Sequence, residues 1–414
     1  MRSEGLDRPL LLEVFLLTTF GLLMLYSAGQ TDAPTNAAGA WTRQLVWAGA
    51  AIVAAIAAFR VSPRVIEWLA PGIYAFSLLL LLITLVIGTG AGSAAGTKSW
   101  IAIGGVRLGQ PAELAKLGTI LFLAQYLSNL REPPDNLRRL IPACTIAAVP
   151  TLLVLAQPDL GSAIVFVGIL FAMLFWAGVR PALLLLLASP VISLLLAANT
   201  AFWIVWMILL GGLLFFWRIY LSEGLLVYIV NSVMGVLAFP MWNKLKPYQQ
   251  RRFQAFLDPE VDPGGASYQA IQSKVAHGSG GLFGSGYTQG PQKRLAFLPE
   301  QHTDFIFPVV GEELGFIGVM AALGLFLLFF LTLLRIARRA TDQFGALVVF
   351  GVLGLMLTHM WENIGMTVNV MPITGIPLPF FSYGGSFLLT CGVAIGLVLR
   401  VAWESRGAGY LEKD

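Results

Sequence analysis

The chain has 414 residues, of which 57% are hydrophobic and only 12% are charged, with a formal net charge of +4. A soluble domain carries about twice that charged fraction, so the composition excludes an ordinary soluble protein and indicates an integral membrane protein. The basic balance does not indicate nucleic-acid binding, because in a membrane protein the placement of Lys and Arg relative to the helices matters more than their sum.

Apolar runs follow one another from end to end. A hydrocarbon core of about 30 Å requires roughly 20 apolar residues per helix. The sequence therefore predicts an all-α polytopic bundle of about twelve transmembrane helices, in one membrane domain over 1–414. The runs are 10–29, 43–60, 70–89, 111–129, 139–156, 160–178, 181–198, 202–218, 223–242, 307–334, 344–361 and 383–402. The first run is long for a signal peptide and begins a repeating pattern, so we interpret it as an uncleaved helix.

The short loops differ in charge on the two sides of the membrane. One side carries most of the basic residues of the short connections: Arg60, Arg64, Arg131, Arg138, Arg139, Arg180, Arg218, Arg335, Arg338 and Arg339. The other side has few, among them Arg43, Lys98 and Arg107. The positive-inside rule therefore predicts a multi-pass protein of the cytoplasmic (inner) membrane with both termini in the cytoplasm.

The segment 243–305 then becomes one large extracytoplasmic loop within the membrane domain. It is dense in Gly, Pro and Ser, with aromatic residues between them, which is not typical of a flexible linker. Its basic residues are Lys244, Lys246, Arg251, Arg252, Lys274, Lys293 and Arg294. Long loops escape the charge rule, but basic residues on the outer face favour an anionic ligand or phospholipid headgroups.

A carboxylate marks the point where this loop meets the membrane. The stretch 297–315 reads FLPEQHTDFIFPVVGEELG, with Asp304 between His302 and the next apolar run. Glu312 and Glu313 follow roughly two helical turns later. Acidic side chains so close to hydrocarbon are costly and generally functional, so Asp304 is the primary candidate for a catalytic residue.

Two other motifs place charge at the ends of apolar helices. In QPAELAK at 110–116, Glu113 and Lys116 are three residues apart on one helical face and can pair, which lowers the cost of burying them. The pair either braces two helices or lines a substrate cavity, and both hypotheses stay open. In QPDLGS at 157–162, Asp159 lies on the same side as Asp304, either as a plain helix N-cap or as a functional carboxylate.

The last outer loop, NVMPITGIPLPFFSYGGSFLL, contains repeated prolines that prevent a regular helix. Irregular backbone at membrane depth is tolerated only where protein or a wet cavity covers it, so Ser382 and Gly384 are candidates for lining a cavity. His277, His302 and His359 share no spacing typical of a metal site, and Cys144 and Cys391 are expected to be unpaired.

Several motifs together resemble the SEDS family of membrane proteins, which includes RodA, FtsW and SpoVE, and the wording is most similar to the RodA branch. They are QPAELAK at 110–116, QPDLGSA at 157–163, LKPYQQRRFQAFLDPE at 245–260, YQAIQSKVAHGSGGLFGSG at 268–286, FLPEQHTDFIFPVVGEELG at 297–315 and NIGMTVNVMPITGIPLPFFSYGGS at 363–386.

The resemblance implies a peptidoglycan glycosyltransferase that polymerises lipid II at the outer face of the membrane during elongation and shape maintenance. It implies that Asp304 is the essential carboxylate and that Glu113 and Lys116 are the paired charges. It also implies a class B penicillin-binding protein (a transpeptidase) and other elongation-machinery proteins as partners. The chain departs from the family in two respects. It has two more apolar runs over 181–242 than the usual ten-helix core, and Ser99 precedes Trp100 where many members have Arg.

Chain growth requires a sugar hydroxyl to attack an anomeric carbon and expel a lipid pyrophosphate, and a positioned carboxylate is the natural general base for that step. The remaining substrate-site candidates are Glu113, Lys116, Asp159, Lys98, Arg251, Lys274, His302, Ser382 and Gly384. Either basic side chains or a divalent cation (Mg or Mn) held by Asp304 or Asp159 would neutralise the pyrophosphate.

Two competing functions fit a polytopic protein with intramembrane charges. One is a flippase that moves lipid II outward, and the other is a scaffold that only recruits the transpeptidase. The sequence shows no inverted halves, and its polar residues concentrate on one face, whereas a carrier presents functional groups from both sides. The pattern therefore favours the enzyme.

Overall fold

The structure, a computed structural model, describes residues 6–32, 34–90, 98–103, 106–217, 220–245, 247–258 and 267–411. Four of the basic residues considered above lie outside the described residues, as does the end of the FLDPE motif: Arg218, Lys246 and the side chains of Arg107 and Arg252. The helices are α1 (Arg8–Ala28), α2 (Ala40–Arg60), α3 (Pro63–Ile87), α4 (Pro111–Ser128), α5 (Leu137–Ala156), α6 (Leu160–Trp176), α7 (Pro181–Leu196), α8 (Thr200–Phe216), α9 (Leu221–Lys244), α10 (Pro247–Leu257), α11 (Tyr268–Ser279), α12 (Pro291–Arg294), α13 (Ile306–Arg339), α14 (Gln343–Thr367) and α15 (Gly385–Leu411).

The predicted all-α bundle is confirmed, since a long helix covers each predicted apolar run. Eight of these helices are long and apolar enough to cross a membrane, and α6, α7 and α8 are apolar but shorter. The remaining one, α4, carries Glu113 and Lys116, which lower its hydropathy. The sequence did not predict a short antiparallel hairpin, β1 (Ile101–Ile103) with β2 (Val106–Gly109), just before α4.

Helix α14 lies at the centre of the bundle and packs against α4, α6 and α13. Small residues bring these helices close together, as is typical of helix packing in membranes. A side chain at Gly351 would meet Ile120 and Met173, and one at Gly168 would overlap Thr358. Because α14 is buried on most sides, polar residues along it lie inside the protein and not in lipid.

Helices α7, α8 and α9 form a separate bundle at the periphery, the α7–α9 bundle. Its apolar contacts form a cluster of their own: Leu186, Met207, Leu210 and Val227. Asn231 joins the helices at its centre, where its Nδ2 donates to Ser189 Oγ at 2.8 Å and to the Val227 carbonyl at 2.9 Å. These helices occupy the region in which the sequence has two more apolar runs than the SEDS resemblance implies.

The described part of the long polar segment is folded, as predicted, and it supplies hydrogen bonds at a break in α13. At Gly315 the backbone leaves the helical region (φ 62°, ψ −161°), which frees hydrogen-bonding groups on both sides. The amides of Ser285 and Gly286 donate to the carbonyls of Glu312 and Glu313 at 2.9 and 3.1 Å. The amide of the residue after the break, Phe316, donates to Gly281 O at 2.9 Å. The GSGGLFGSG motif thus supplies backbone partners for a discontinuous helix.

A buried ion pair fixes the same segment to α1. Lys293 Nζ lies 2.8 Å from Glu313 Oε1, and both side chains are fully buried. Ser27 on α1 donates to the Glu313 carboxylate at 2.7 Å, and Lys293 Nζ also donates to Ser27 O at 3.0 Å. Glu312 accepts from the amide of Gln292 at 2.6 Å, at the start of α12. The two glutamates that follow Asp304 in sequence are therefore structural.

Candidate active site

Asp304 lies in the turn that leads from the outer segment into α13, at the edge of the core. Its side chain is half-buried, whereas the following residues Phe305, Ile306 and Phe307 are buried. The turn is closed from within, since the Phe305 amide donates to Glu300 O at 3.2 Å. The apolar anchor on one side and the tight turn on the other hold the carboxylate at the edge of the protein core.

Three consecutive carbonyls around Asp304 accept hydrogen bonds from the C-terminal half of the chain. The His302 carbonyl accepts from the Tyr383 amide at 2.9 Å, and the Thr303 carbonyl accepts from Ser382 Oγ at 2.5 Å. The Asp304 carbonyl accepts from Asn363 Nδ2 at 2.9 Å. We call these three bonds the backbone clamp. It connects the HTD motif to α14 and to the proline-rich segment 368–384, although the two are about 60 to 80 residues apart in sequence.

The proline-rich segment has no regular helix, as predicted, and it approaches the carboxylate closely. Gly375 has a positive φ of 78°, and a Cβ at this position would lie 3.3 Å from Asp304 Oδ2. Glycine therefore suits both the backbone conformation and the short approach. The PITGIP motif forms one wall beside Asp304.

Ser382 and Gly384 are held by α2 in a way that the sequence did not indicate. Gln44 Nε2 donates to Ser382 O at 3.0 Å, and Gln44 Oε1 accepts from the Gly384 amide at 3.2 Å. The next residue, Gly385, allows a close approach to α2, since a Cβ there would overlap the ring of Trp47. Ser382 is itself buried and serves the backbone clamp.

A basic and aromatic rim lies on the outer side of Asp304. The His302 and Tyr383 rings are 5.8 Å apart, and the Arg43 guanidinium lies 5.2 Å from the centre of the Tyr383 ring. Arg43 donates to Asn36 O at 3.2 Å, is exposed, and has no carboxylate within ion-pair distance in the described part of the chain. Burial lowers the pKa of His302, and the positive charge of Arg43 acts in the same direction while Glu300 opposes it.

The predicted pairing of Glu113 with Lys116 is confirmed, with Lys116 Nζ 2.8 Å from Glu113 Oε1. Lys116 is fully buried, and its Nζ also lies 3.0 Å from His359 Nε2 on α14. His359 Nδ1 lies 3.1 Å from the Pro377 carbonyl, which can only accept, so Nδ1 carries the proton and Nε2 accepts from Lys116. The pair has the geometry of a brace between α4 and α14.

One turn of α14 links this brace to Asp304. His359 and Asn363 are four residues apart on the same helical face. Asn363 donates to Ile376 O at 2.7 Å as well as to Asp304 O, so the two side chains hold neighbouring carbonyls of the proline-rich segment. Beside them, both carboxylate oxygens of buried Glu362 have no hydrogen-bond partner among the described residues.

Asp159 caps α6, as one of its two interpretations predicted. Its Oδ1 accepts from the Ser162 amide at 3.0 Å, and its Oδ2 accepts from Gln110 Nε2 at 2.9 Å. No group of three His, Cys, Asp or Glu side chains in the described ranges has the arrangement of a metal site. The Asp159 carboxylate is thus held by two protein donors.

The other basic candidates, Lys98, Arg251 and Lys274, have exposed side chains. The contacts of their backbone or helices lie away from the backbone clamp. Lys98 follows the undescribed residues 91–97, and its amide donates to Gln157 O at 3.3 Å. Arg251 lies on α10, whose contacts are with the end of α9. Lys274 lies on α11, which packs against α13 and α14. The structure therefore brings together Asp304, His302, Ser382 and Gly384, and connects them to Glu113 and Lys116 through α14.

Sequence reasoning missed Asn363, Gln44 and His359 as parts of the site and counted Arg43 only as an exception to the charge rule. The spacing of His359 and Asn363 on an otherwise apolar helix was a usable signal, because two polar groups on one face share an environment. The arrangement offers a half-buried carboxylate held by its backbone, a cation and aromatic rings at its rim, and a buried polar brace behind it. These are the elements of a site for acid–base chemistry on an anionic substrate.

Known proteins resemble this chain over nearly its whole length. The family of cell cycle proteins that comprises FtsW, RodA and SpoVE matches residues 8–210 and 184–407, two ranges that overlap within α7 and α8. The peptidoglycan glycosyltransferase RodA of Treponema pallidum is 36% identical, over 97% of this chain and 99% of the relative. The peptidoglycan glycosyltransferase MrdB of Escherichia coli is 34% identical, over 96% and 93%.

A solved structure is also similar. It describes the coordination of polymerization and crosslinking by a peptidoglycan synthase complex, and one of its chains has 29% sequence identity and a TM-score of 0.70 with this chain. The match covers 96% of this chain and 98% of that one.

Proposed function

This chain belongs to the family of FtsW, RodA and SpoVE cell cycle proteins and is a peptidoglycan glycosyltransferase, and we propose that Asp304 is the general base with which it polymerises lipid II. The observation that carries the proposal is the backbone clamp, which fixes a half-buried carboxylate at the outer edge of the bundle. A general base must be held within hydrogen-bond reach of the proton that it abstracts, and a clamped backbone supports that requirement.

In the proposed reaction, the 4-hydroxyl of an acceptor sugar attacks the anomeric carbon of a donor. The carboxylate of Asp304 accepts the hydroxyl proton while the new C–O bond forms, and the bond to the lipid pyrophosphate breaks with its electron pair on the departing oxygen. Negative charge therefore grows on the pyrophosphate, which requires a cation nearby.

We propose Arg43 for that role in place of Lys116. Lys116 is fully buried and already bonded to Glu113 and His359, whereas Arg43 is exposed beside His302 and Tyr383. A guanidinium matches phosphate oxygens with two parallel hydrogen bonds. Lys98, Arg251 and Lys274 remain candidates for longer-range attraction of the headgroup. A divalent cation, Mg²⁺ or Mn²⁺, would on this proposal arrive with the substrate and not reside on protein ligands.

Three further proposals concern the cellular setting. The similarity to a chain of a peptidoglycan synthase complex supports a class B penicillin-binding protein as partner, and that transpeptidase would crosslink the new glycan. The similarity to RodA of T. pallidum supports a role in elongation. The charge bias of the short loops supports both termini in the cytoplasm, which places Asp304 on the outer face where glycan is made.

The test is polymerisation of purified lipid II by the purified full chain, with and without its cognate transpeptidase. We expect Asp304→Asn to abolish glycan synthesis in a protein that purifies as wild type does. Asp32→Asn, at an exposed carboxylate paired with Arg294 on the same side, is the matched control and should stay active. Arg43→Ala should lower kcat/KM for lipid II about tenfold or more, because a charge-assisted contact is worth about 1.5–3 kcal/mol.

Retained synthesis by Asp304→Asn would exclude the base role. Absence of product from wild type, even with the transpeptidase present, would instead favour lipid II translocation, which a vesicle assay measures directly. The proposal of Arg43 fails separately if Arg43→Ala leaves kcat/KM unchanged.

A further inference from the structure

The amide of Asn363 is the member of the backbone clamp with the most direct hold on Asp304. Asn363 is fully buried, and its Nδ2 donates one proton to the Asp304 carbonyl at 2.9 Å and the other to the Ile376 carbonyl at 2.7 Å. A single side chain therefore joins the residue that carries the carboxylate to the segment that forms the wall beside it. Its position on the long central helix α14 gives both carbonyls a common rigid support.

The same face of α14 carries a second contact to that wall. Four residues earlier, His359 donates to the Pro377 carbonyl, next to Ile376, and accepts from Lys116 on its other ring nitrogen. A continuous series of hydrogen bonds therefore connects Glu113 and Lys116, through one turn of α14, to the backbone of Asp304. The charged pair does not need to contact substrate for its loss to disturb the carboxylate.

We propose that Asn363 is a positioning residue for the glycosyl transfer, and that it sets the distance between the Asp304 carboxylate and the attacking hydroxyl. The inference rests on the base role proposed for Asp304. Loss of the two donated hydrogen bonds lets the turn at 302–304 move relative to Gly375, while Arg43, which lies on α2 and is bonded to Asn36, stays in place. Misplacement of a reacting group by about 1 Å can reduce turnover about 100-fold without a loss of binding.

The chain offers a matched control for this proposal. Asn231 is also fully buried on a membrane helix, and its Nδ2 also donates two hydrogen bonds, to Ser189 Oγ and to the Val227 carbonyl. It lies in the α7–α9 bundle, outside the candidate active site. Asn231→Ala and Asn363→Ala therefore remove the same chemical group with the same number of donated bonds, and only the second contacts Asp304.

The experiment compares kcat and KM for lipid II in the full chain, with its transpeptidase, for wild type, Asn363→Ala, Asn363→Ser and Asn231→Ala, together with thermal unfolding of each. We expect Asn363→Ala to lower kcat by 10- to 100-fold with KM changed by less than about threefold. Asn363→Ser, which keeps one donor, should retain an intermediate kcat. Asn231→Ala should lower the unfolding midpoint to a similar extent but keep kcat within about twofold.

An equal fall of kcat in both Ala variants would overturn the positioning role. A higher KM with an unchanged kcat in Asn363→Ala would overturn it as well. If Asn363→Ala does not fold, the comparison of Asn363→Ser with Asn231→Ser decides the question in the same way. The proposed function fails independently, through an active Asp304→Asn. An inactive Asp304→Asn with an unimpaired Asn363→Ala would overturn only the present inference.

Discussion

At the scale of single residues, Asp304 shows how a protein fixes the backbone of an acidic residue at the edge of its core. The carboxylate is half-buried, and three hydrogen bonds to neighbouring carbonyls hold its backbone. Those bonds use neutral donors, namely an amide side chain, a hydroxyl and a backbone amide. The clamp therefore fixes the position of the Asp304 backbone through neutral groups alone.

His302, two residues before Asp304, gives the site a dependence on pH. Burial lowers its pKa below the usual value of about 6.5, so the folded protein binds a proton less readily than the unfolded chain does. The stabilising contribution of the neutral ring is complete above the unfolded pKa, and it is lost as the pH falls from that value to the lowered pKa of the folded state.

We therefore expect the thermal unfolding midpoint of wild type to decrease as the pH is lowered from 7.5 to 5.5. The midpoint of His302→Gln should decrease less over the same range. Each unit of pH across the interval costs up to about 1.4 kcal/mol per histidine. The pKa of His277 is also lowered by burial, so the double variant with His277→Gln should show the flattest profile. Parallel profiles for wild type and His302→Gln would contradict the assignment.

The sequence was sufficient to find Asp304 but not its support. An acidic residue at the junction of a polar loop with an apolar run is visible locally, because the cost of placing it there depends on the neighbouring residues. The donors that hold its backbone come from Asn363, Ser382 and Tyr383, far along the chain. A single sequence carries no signal for such contacts. The pairing of Glu113 with Lys116 was predictable because three residues separate them on a helix.

At the scale of elements, the break in α13 explains the glycine-rich motif of the outer segment. A side chain at Gly284 would overlap the Glu313 carbonyl, and its φ of 81° is disfavoured for any other residue. The motif therefore approaches the half-helix that starts directly after Asp304, and the two are joined by backbone hydrogen bonds on either side of Gly315. The sequence predicted a structured segment with close approaches, but it did not predict that α13 is discontinuous.

Gly284→Ala should destabilise the protein by about 2 kcal/mol or more, because both backbone strain and overpacking contribute. Gly278→Ala is the control within the same motif, since Gly278 is helical and a Cβ there meets no other atom within 4 Å. The measurement is thermal unfolding of the purified variants, followed by intrinsic fluorescence. If both substitutions have the same effect, the backbone hydrogen bonds on either side of Gly315 are not what holds the glycine-rich motif in place.

At the scale of the whole molecule, the apolar runs predicted the helices because a bilayer imposes a minimum length and excludes unpaired backbone groups. Which helices pack against one another was not predictable, because the lipid-facing and protein-facing sides of a membrane helix are both apolar. The central position of α14 becomes visible only from its small residues and from the helices that contact them. The overlap of the two family matches lies within α7 and α8 of the peripheral α7–α9 bundle, which supports extra helices in this region.

Helices from the beginning and the end of the chain are joined by one carboxylate, Asp7, at the end of the bundle opposite to Asp304. Asp7, which is buried, accepts from Arg335 at 2.8 Å and from Arg406 at 2.6 Å, and it caps α1 through the Leu10 amide at 3.1 Å. It thereby connects α1, α13 and α15. An exposed pair, Asp32 with Arg294, offers a comparison in which solvent screens the charges.

Asp7→Ala should lower the free energy of unfolding by about 2 kcal/mol or more, because it removes a cap and leaves two guanidinium groups without their partner. Asp32→Ala should change it by less than about 1 kcal/mol, as is usual for exposed pairs. Thermal unfolding at low and high salt distinguishes the Asp7 and Asp32 ion pairs. Salt screens the attraction in the exposed pair but has little effect on the attraction in the buried one. Because Asp7 lies at the far end of α13 from Asp304, we expect the folded fraction of Asp7→Ala to keep the wild-type KM for lipid II. A changed KM in that variant would show that the two ends of α13 are coupled through the break at Gly315.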